Sequence, residues 1–492
     1  MSIHEAPPRS KPLSGVARVL DRAIPNPILA FPILLLAVGL LFAAPLRITG
    51  DTYFDLVSGR DIAARGLPHT DRMMAFTAGR RWEDQQWLAH LFDYGLYLVG
   101  GLPLVIFMDS GCLVGALVIA IVASRRLGAS PMWVAAVASP VMLLLIPSTA
   151  RAQTFAMPLF ALLVWLLSRD ARTPDRRILL LLPLLVLWAN LHGSILLASG
   201  LVLLHAGIGA GRAIRARTPR ALARPLGLGV AALLAPLASP YGFQLVSYYR
   251  ATAASSAFQA FVTEWSGTTL RNWPAYFAFA ALALVALLRP EIKLGLHDSL
   301  CLVVLTLAGL DTTRNIVWLP VAAVILIPPA LTRWSPETET RAWLRTFLLG
   351  VALVGGAGVG LLAAGISSSK LEHPFPDAEG NAIAAAAAKD PSARIVTQET
   401  FADWLLWRHP ELRGRIAFDI RFELLGPKGL KQVVHFEDAS GLHWDTPFRG
   451  YRLALISNKE KPELVASLRA QPGARVLAHA KGIYAIERPV TP

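Results

Sequence analysis

Long apolar runs constrain this chain more than any other feature. Between Pro27 and Gly365 the sequence passes repeatedly through apolar stretches poor in charge; runs of roughly 17 to 25 residues carry a helix across a hydrocarbon core about 30 Å thick, and shorter ones serve when packed inside a bundle or bounded by snorkelling arginines. Apolar residues are 54% and charged residues 16% of 492, a balance far from that of a soluble domain. Lipid offers the backbone no hydrogen-bond partners, so such runs must be helical. The expected fold is therefore an α-helical polytopic membrane protein with about eleven spans, near 27–46, 102–123, 132–147, 154–168, 178–191, 194–210, 225–238, 274–288, 298–310, 316–331 and 346–367. The region 178–210 reads equally as one re-entrant pair.

A net charge of +14 raises the question of a polyanionic partner, and its distribution answers it. The loops on one side carry Arg125, Arg126, Arg169, Arg172, Arg176, Arg177, Arg212, Arg215, Arg217, Arg220 and Arg224, whereas the short loops on the other hold only Arg151 and Arg314. This asymmetry is the positive-inside pattern. It puts the N-terminus in the cytoplasm and the C-terminal tail outside, and it makes nucleic acid an unneeded partner; the lipid bilayer is the expected one. The basic side reads as simple arginine runs. Cys112 and Cys301 both fall within apolar runs, so no disulfide framework and no metal site is assigned. A divalent cation stays open as a cofactor.

Three regions follow: a cytoplasmic segment 1–26, a transmembrane region 27–367 with outer loops 47–100 and 239–273, and a small C-terminal α/β domain over 368–492. The polar lead before residue 27 is too long for a typical cleaved signal, so 27–46 reads as a retained anchor. In the first loop, Tyr53–Ala63 has helical apolar spacing and ends at Gly66-Leu67-Pro68. Its carboxylates are expected to face water or a cavity. In the tail, strand-like pieces 394–397, 415–419, 453–457, 475–478 and 483–487 alternate with helical ones.

Topology also selects the residues that carry chemistry. Asp51, Asp55, Trp82, Glu83, Asp84, Trp87, Arg151, Asn190, His192, Glu264 and Arg314 all fall on the outer side near membrane depth. Ionisable groups there cost about 2.5–3.5 kcal/mol at the bilayer centre and persist where they pair or line a cavity. Such a set suits attack by an alcohol on a phosphate-activated carbon. Asp51 or Asp55 takes the proton, Arg151, Arg314 and His192 bind the phosphate, and Glu83, Asp84, Asn190 and Glu264 hold substrate, with Trp82 and Trp87 stacking on a sugar ring.

The run Asp51-Thr-Tyr-Phe-Asp-Leu-Val-Ser-Gly59, with Gly66-Leu-Pro68, Gly79-Arg-Arg-Trp82 and Gln86-Trp87-Leu88, resembles the first outer loop of bacterial membrane glycosyltransferases of the GT-C superfamily. That group includes protein O-mannosyltransferases and aminoarabinose transferases. Arg151-Ala-Gln153, Trp188-Ala-Asn190-Leu-His192-Gly193-Ser194, Glu264-Trp265, Arg314-Asn315 and Asp403-Trp-Leu-Leu-Trp407 extend the resemblance over nearly the whole chain. It implies an inner-membrane enzyme that moves a sugar from a polyprenyl-phosphate donor to a glycan, lipid or protein acceptor at the outer face, with the first-loop aspartate carried onto Asp51. Relatives often have histidine at the position of Asp55, which leaves the base open between the two acids. One favoured base points to a single inverting displacement.

Plainer roles stand beside these. Asp51 also reads as a helix cap, Asp55 as a solvated helix face, Arg151 and Arg314 as snorkelling anchors, and the tryptophans as an interfacial belt. A transporter or flippase of lipid-linked sugars, with Asp109 as a midplane acid, and a non-catalytic subunit of a polysaccharide assembly complex are the alternative functions.

Overall fold

The computed structural model describes residues 26–253, 262–335, 342–441 and 443–489. The expected segment 1–26 thus lies almost wholly outside the described residues, as does the middle of outer loop 239–273. Among the described residues six helical stretches are long and apolar enough to cross a membrane: Trp87–Arg126, Gln153–Arg172, Ile195–Arg215, Pro219–Leu237, Thr313–Trp334 and Thr346–Ala364. Shorter apolar stretches at Pro27–Phe42, Pro131–Leu145 and Pro274–Leu288 accompany them. The chain is a multi-pass membrane protein.

Position in the bundle follows from how far each helix is apolar around its circumference. Every residue of Trp318–Leu326 is buried, which makes this the central helix. Its Trp318 packs 4.9 Å from the ring of Phe160 and 6.2 Å from that of Trp188. The glycine-rich helix Ala342–Ala364 is peripheral. It meets the first helix where Gly355 faces Leu34, and a methyl group there would lie 3.0 Å from Leu34 Cδ1.

The helix Trp87–Arg126 is broken at Gly100 and Gly101, where Gly101 takes φ 63°. The break separates a short arm, 87–99, from the apolar part. In the C-terminal domain β1 (Ile395–Thr397), β2 (Leu453–Ser457), β3 (Arg475–Ala480) and β4 (Ile483–Glu487) form one sheet in the order β1-β2-β4-β3. β1 and β2 are parallel, while β4 runs antiparallel to both its neighbours. Lys481 and Gly482, both with positive φ, make the tight turn whose twist suits a two-residue hairpin.

The piece 415–419 does not become a strand of this sheet. Ile416 makes only an isolated bridge to Ile395, and the opposite edge of the segment accepts Ala75 N–H at 2.7 Å and Phe76 N–H at 2.9 Å from the first loop. The segment is thus shared between the loop and β1, which it meets only through Ile395 N–H to Arg415 O and Ala417 N–H to Ile395 O, both at 2.8 Å.

This junction extends through side chains. Tyr53, Phe54, Leu56 and Val57 of the first-loop helix Gly50–Arg65 share one apolar core with Phe375, Trp404, Leu405 and Ile483 of the C-terminal domain. Burying each large side chain contributes about 1.5–3 kcal/mol, so the two parts hold each other. Of the carboxylates expected to face water or a cavity, Asp51 and Asp55 line a cavity and Asp61 faces neither. Asp55 is 3% and Asp61 1% exposed, and Asp61 is paired with Arg65, Arg72 and Arg413.

Candidate active site

The site lies where the C-terminal domain covers one end of the bundle, and it begins with the cap of the first-loop helix. Thr49, not Asp51, takes the cap position, and its N–H donates to Thr52 Oγ1 at 3.3 Å. Asp51 is thereby left in the first turn, where a carboxylate is favoured by the exposed N–H groups. Gly50 is pressed against the start of the helix Glu399–Arg408, and a Cβ there would lie 3.3 Å from Glu399 O. That close approach brings the C-terminal domain to the shoulder of Asp51.

A cavity of about 550 Å³ opens at this point, lined by Asp51, Asp55, Arg151, His192, Glu264 and Arg314 from the expected set. Asp51 is 28% exposed as a side chain, and its Oδ2 lies 3.4 Å from Arg151 Nη1 and from Thr149 Oγ1. Arg151 Nη1 also donates to both oxygens of Glu264, at 2.6 and 2.9 Å. Arg314 stands 3.9 Å from Glu264 and 5.5 Å above the Trp265 ring. Burial raises the proton affinity of Asp51 against the pull of Arg151. Burial also pushes Glu264 up, but Arg151 and Arg314 outweigh it and hold its carboxyl below the usual value.

His192 is driven far below its ordinary pKa by burial, then by Arg314 and Arg151, so it acts as a neutral hydrogen-bonding group. Its Nδ1 accepts Ser194 N–H at 3.1 Å, which assigns the ring hydrogen to Nε2. Nε2 is 3.4 Å from Arg314 Nη2. Two donors therefore face one another, an arrangement completed by an acceptor between them.

Asp55 is differently placed. One oxygen accepts Ala152 N–H at 2.9 Å, and the other lies 3.1 Å from His90 Nε2. Burial pushes its pKa up and His90 pulls it back. The remaining expected residues stand behind the cavity wall. Trp87 donates to Asn190 at 2.8 Å, tying the arm to the bundle. Glu83 pairs with Arg81, Asp84 with His90, and Trp82 lies under Arg421, whose guanidinium is 4.3 Å from its ring. Asp109 is held by Arg47 within the bundle.

Two smaller cavities share this wall. One of about 200 Å³ runs from Arg151, Gln153, Glu264 and Arg314 into aliphatic surface, including Leu113, Leu144, Met157 and Val317. Another of about 370 Å³ shares Gln153, His192 and Arg314 and is lined by Tyr248, Tyr249 and Trp318. From the C-terminal domain, Glu399, Arg421, Glu423 and Glu437 complete the main cavity. Burial lifts Glu423 to about 7, and burial with the neighbouring Glu399 lifts Glu437 to about 8. Arg421 is locked to Asp71 at 2.9 Å and Asp419 at 2.6 Å. Sequence reasoning had no means to join Arg421 to Asp71, because 350 residues separate them. His90 was overlooked because a lone histidine on a helix face carries no signal by itself. Among the described residues no group of three or more histidine, cysteine or acidic side chains is arranged to hold a metal ion.

The opposite end also corrects the reading of simple arginine runs. Asp170 is bound by Arg224, by His205 at 3.0 Å and by Asp175 N–H at 3.2 Å. Asp298 is bound by Arg172 at 2.7 Å, Ser168 at 2.8 Å and His297 at 3.2 Å.

The fold is one already seen in a solved membrane-protein structure. The chain is similar to the crystal structure of the Archaeoglobus fulgidus oligosaccharyltransferase tethered by a disulfide to an acceptor peptide containing the NVT sequon. The TM-score is 0.51 at 10% identity, over 96% of this chain and 75% of that one. ArnT from Cupriavidus metallidurans in the apo state aligns over 96% and 98% of the two chains, with a TM-score of 0.47 and 14% identity. No family model and no curated protein matches the sequence. At 10% identity the likeness to the oligosaccharyltransferase establishes fold alone.

Proposed function

We propose that this protein is a GT-C-type glycosyltransferase of the bacterial inner membrane that moves a hexose or pentose from a polyprenyl-phosphate donor to a lipid, glycan or protein hydroxyl at the outer face. The reading includes eleven spans, a cytoplasmic N-terminus and an outer C-terminal domain. One observation carries it: Asp51 shares a cavity with the donors Arg151, Arg314 and His192, and the same wall opens into an aliphatic cavity suited to a prenyl chain.

In the proposed step Asp51 takes the proton of the acceptor hydroxyl as its oxygen attacks the anomeric carbon. The bond from that carbon to the phosphate oxygen breaks, and the electron pair leaves with the polyprenyl phosphate. Arg151 and Arg314 meet that charge, and His192 donates a hydrogen bond to it. Glu264 keeps Arg151 in place until phosphate competes for the guanidinium. Asp51 rather than Asp55 is assigned as base, because both oxygens of Asp55 already face protein donors while Asp51 retains exposed surface. A single base with the leaving group opposite gives inversion. The test is transfer from a lipid-linked sugar by Asp51→Asn protein: unchanged turnover removes Asp51 from the mechanism.

A further inference from the structure

We propose that His90 is a positioning residue that keeps Asp55 charged, and thereby sets the state of Asp51 one helical turn away. The proposal rests on the glycosyltransferase reading and adds to it a residue that touches neither substrate nor cavity.

His90 is fully buried. Its Nδ1 is 2.8 Å from Asp84 Oδ2, and its Nε2 is 3.1 Å from Asp55 Oδ1, within ion-pair range though not aligned as a hydrogen bond. Carboxylates are acceptors only, so a ring facing one at each nitrogen is matched when both nitrogens carry hydrogen and the imidazole is a cation. Asp93, one turn further along the arm, also contacts Asp55. The titratable groups around His90 are therefore Asp84 from the loop, Asp55 from the first-loop helix and Asp93 from its own helix, its carboxyl pushed well up by burial and Asp55, with the neutral His192 at the helix junction.

The ring has little room to move. Gly59 lies against the His90 carbonyl, where a Cβ would come within 2.1 Å, and the Phe54 ring sits edge-on at 4.9 Å. The clamp reaches the site by two routes. Asp55 holds the Ala152 amide, next to Arg151, at 2.9 Å. Asp51 and Asp55 also lie four residues apart on one helix face, where like charges repel.

Removing the imidazolium leaves Asp55 buried beside Asp84 and Asp93 with no cation, and Asp55 takes up a proton. Asp51 then loses a negative neighbour and ionises at lower pH. Ionised Asp51 competes with phosphate for Arg151 and repels it, so affinity for phosphate falls as pH rises through the Asp51 titration. Arg151, Arg314, Glu264 and Asp403 also act on Asp51, and they are the same in every variant.

The experiment measures binding of undecaprenyl phosphate to the full chain in nanodiscs from about pH 5 to pH 8. His90→Gln is expected to move the midpoint of the affinity loss down by about one pH unit, and Asp55→Asn to move it alike. Asp51→Asn removes the Asp51-dependent part altogether. Asp84→Asn, which keeps the side-chain size and one charged partner for His90, is expected to give a smaller shift in the same direction and stands in if His90→Gln does not fold. A purely structural histidine would lower yield or melting temperature and leave the midpoint in place. Wild-type midpoints in both His90→Gln and Asp84→Asn overturn the proposal. A wild-type protein that does not bind undecaprenyl phosphate instead overturns the donor reading, and the midpoints read by infrared titration of aspartate carboxyls then decide the role of His90.

Discussion

The two ends of the helical bundle use the same residue types to opposite effect. At the end beneath the C-terminal domain, Asp51, Arg151, His192, Glu264 and Arg314 surround a cavity of about 550 Å³. At the other end, Asp170 and Asp298 are bound by Arg224, Arg172, His205 and His297. What differs is unused capacity. Asp170 and Asp298 each have at least three protein partners. Asp51 keeps exposed surface and only long contacts, and His192 faces Arg314 donor to donor. Paired charges hold helices together; charges with spare donors or acceptors can meet a ligand.

That contrast is open to test, and the largest effect is expected at Asp51. Asp51→Asn should reduce transfer from a lipid-linked sugar by about 10²–10⁴-fold, the usual worth of a general base, while the melting temperature of the protein changes little. The wild-type pH profile belongs with this test. Because burial raises the pKa of Asp51, a base at this position must lose activity on acidification above the range of an ordinary aspartate. An acid limb at or below about pH 4 would separate the activity from Asp51.

Next come the phosphate donors. Arg314→Ala should weaken undecaprenyl phosphate binding by roughly tenfold or more, as expected for a charge-assisted hydrogen bond, with unfolding little affected because its pairing to Glu264 is long at 3.9 Å. Equal binding by mutant and wild type would return Arg314 to the role of a helix anchor.

The opposite end should respond in stability alone. Asp298→Ala leaves Arg172 and His297 without their partner; breaking a buried pair costs about 3–5 kcal/mol, here discounted to about 1–3 because Arg172 is about one-third exposed. Thermal unfolding in detergent should report that loss while turnover per folded molecule stays at the wild-type value. A fall in turnover would break the distinction between the two ends. Smallest of all, Thr52→Ala should cost about 1 kcal/mol through the lost acceptor for Thr49 N–H, measurable as a small drop in melting temperature.

Much of the architecture was legible in the chain because its cause is local. Apolar runs become helices in lipid whatever their neighbours, and Gly66 ends the first-loop helix with φ 74°. Gly100 and Gly101 mark the break before the apolar part of Trp87–Arg126 for the same reason. The site was legible only as a collection of polar residues assigned to one side. The cavity gathers Asp51, Asp55, Arg151, His192, Glu264 and Arg314, whereas Trp82, Glu83, Asp84, Trp87 and Asn190 stand behind its wall. The segment 415–419 looked like a strand because its alternation is strand-like; it meets β1 at a single bridge and is held as well by Ala75 and Phe76 of the first loop.

By itself, then, the sequence determined that the chain must be helical in a membrane, that its charges divide between two sides, and that its first loop carries acids within reach of membrane depth. Hydropathy, backbone hydrogen bonding and glycine geometry act over a few residues and can be read from them. The tertiary structure alone decided that Thr49 takes the cap position and leaves Asp51 free, that Asp55 is enclosed by His90 and the Ala152 amide, and that Arg421 joins Asp71 across 350 residues. Those outcomes depend on which groups meet after the chain has packed, and whether a carboxylate is satisfied or spare is a property of that meeting.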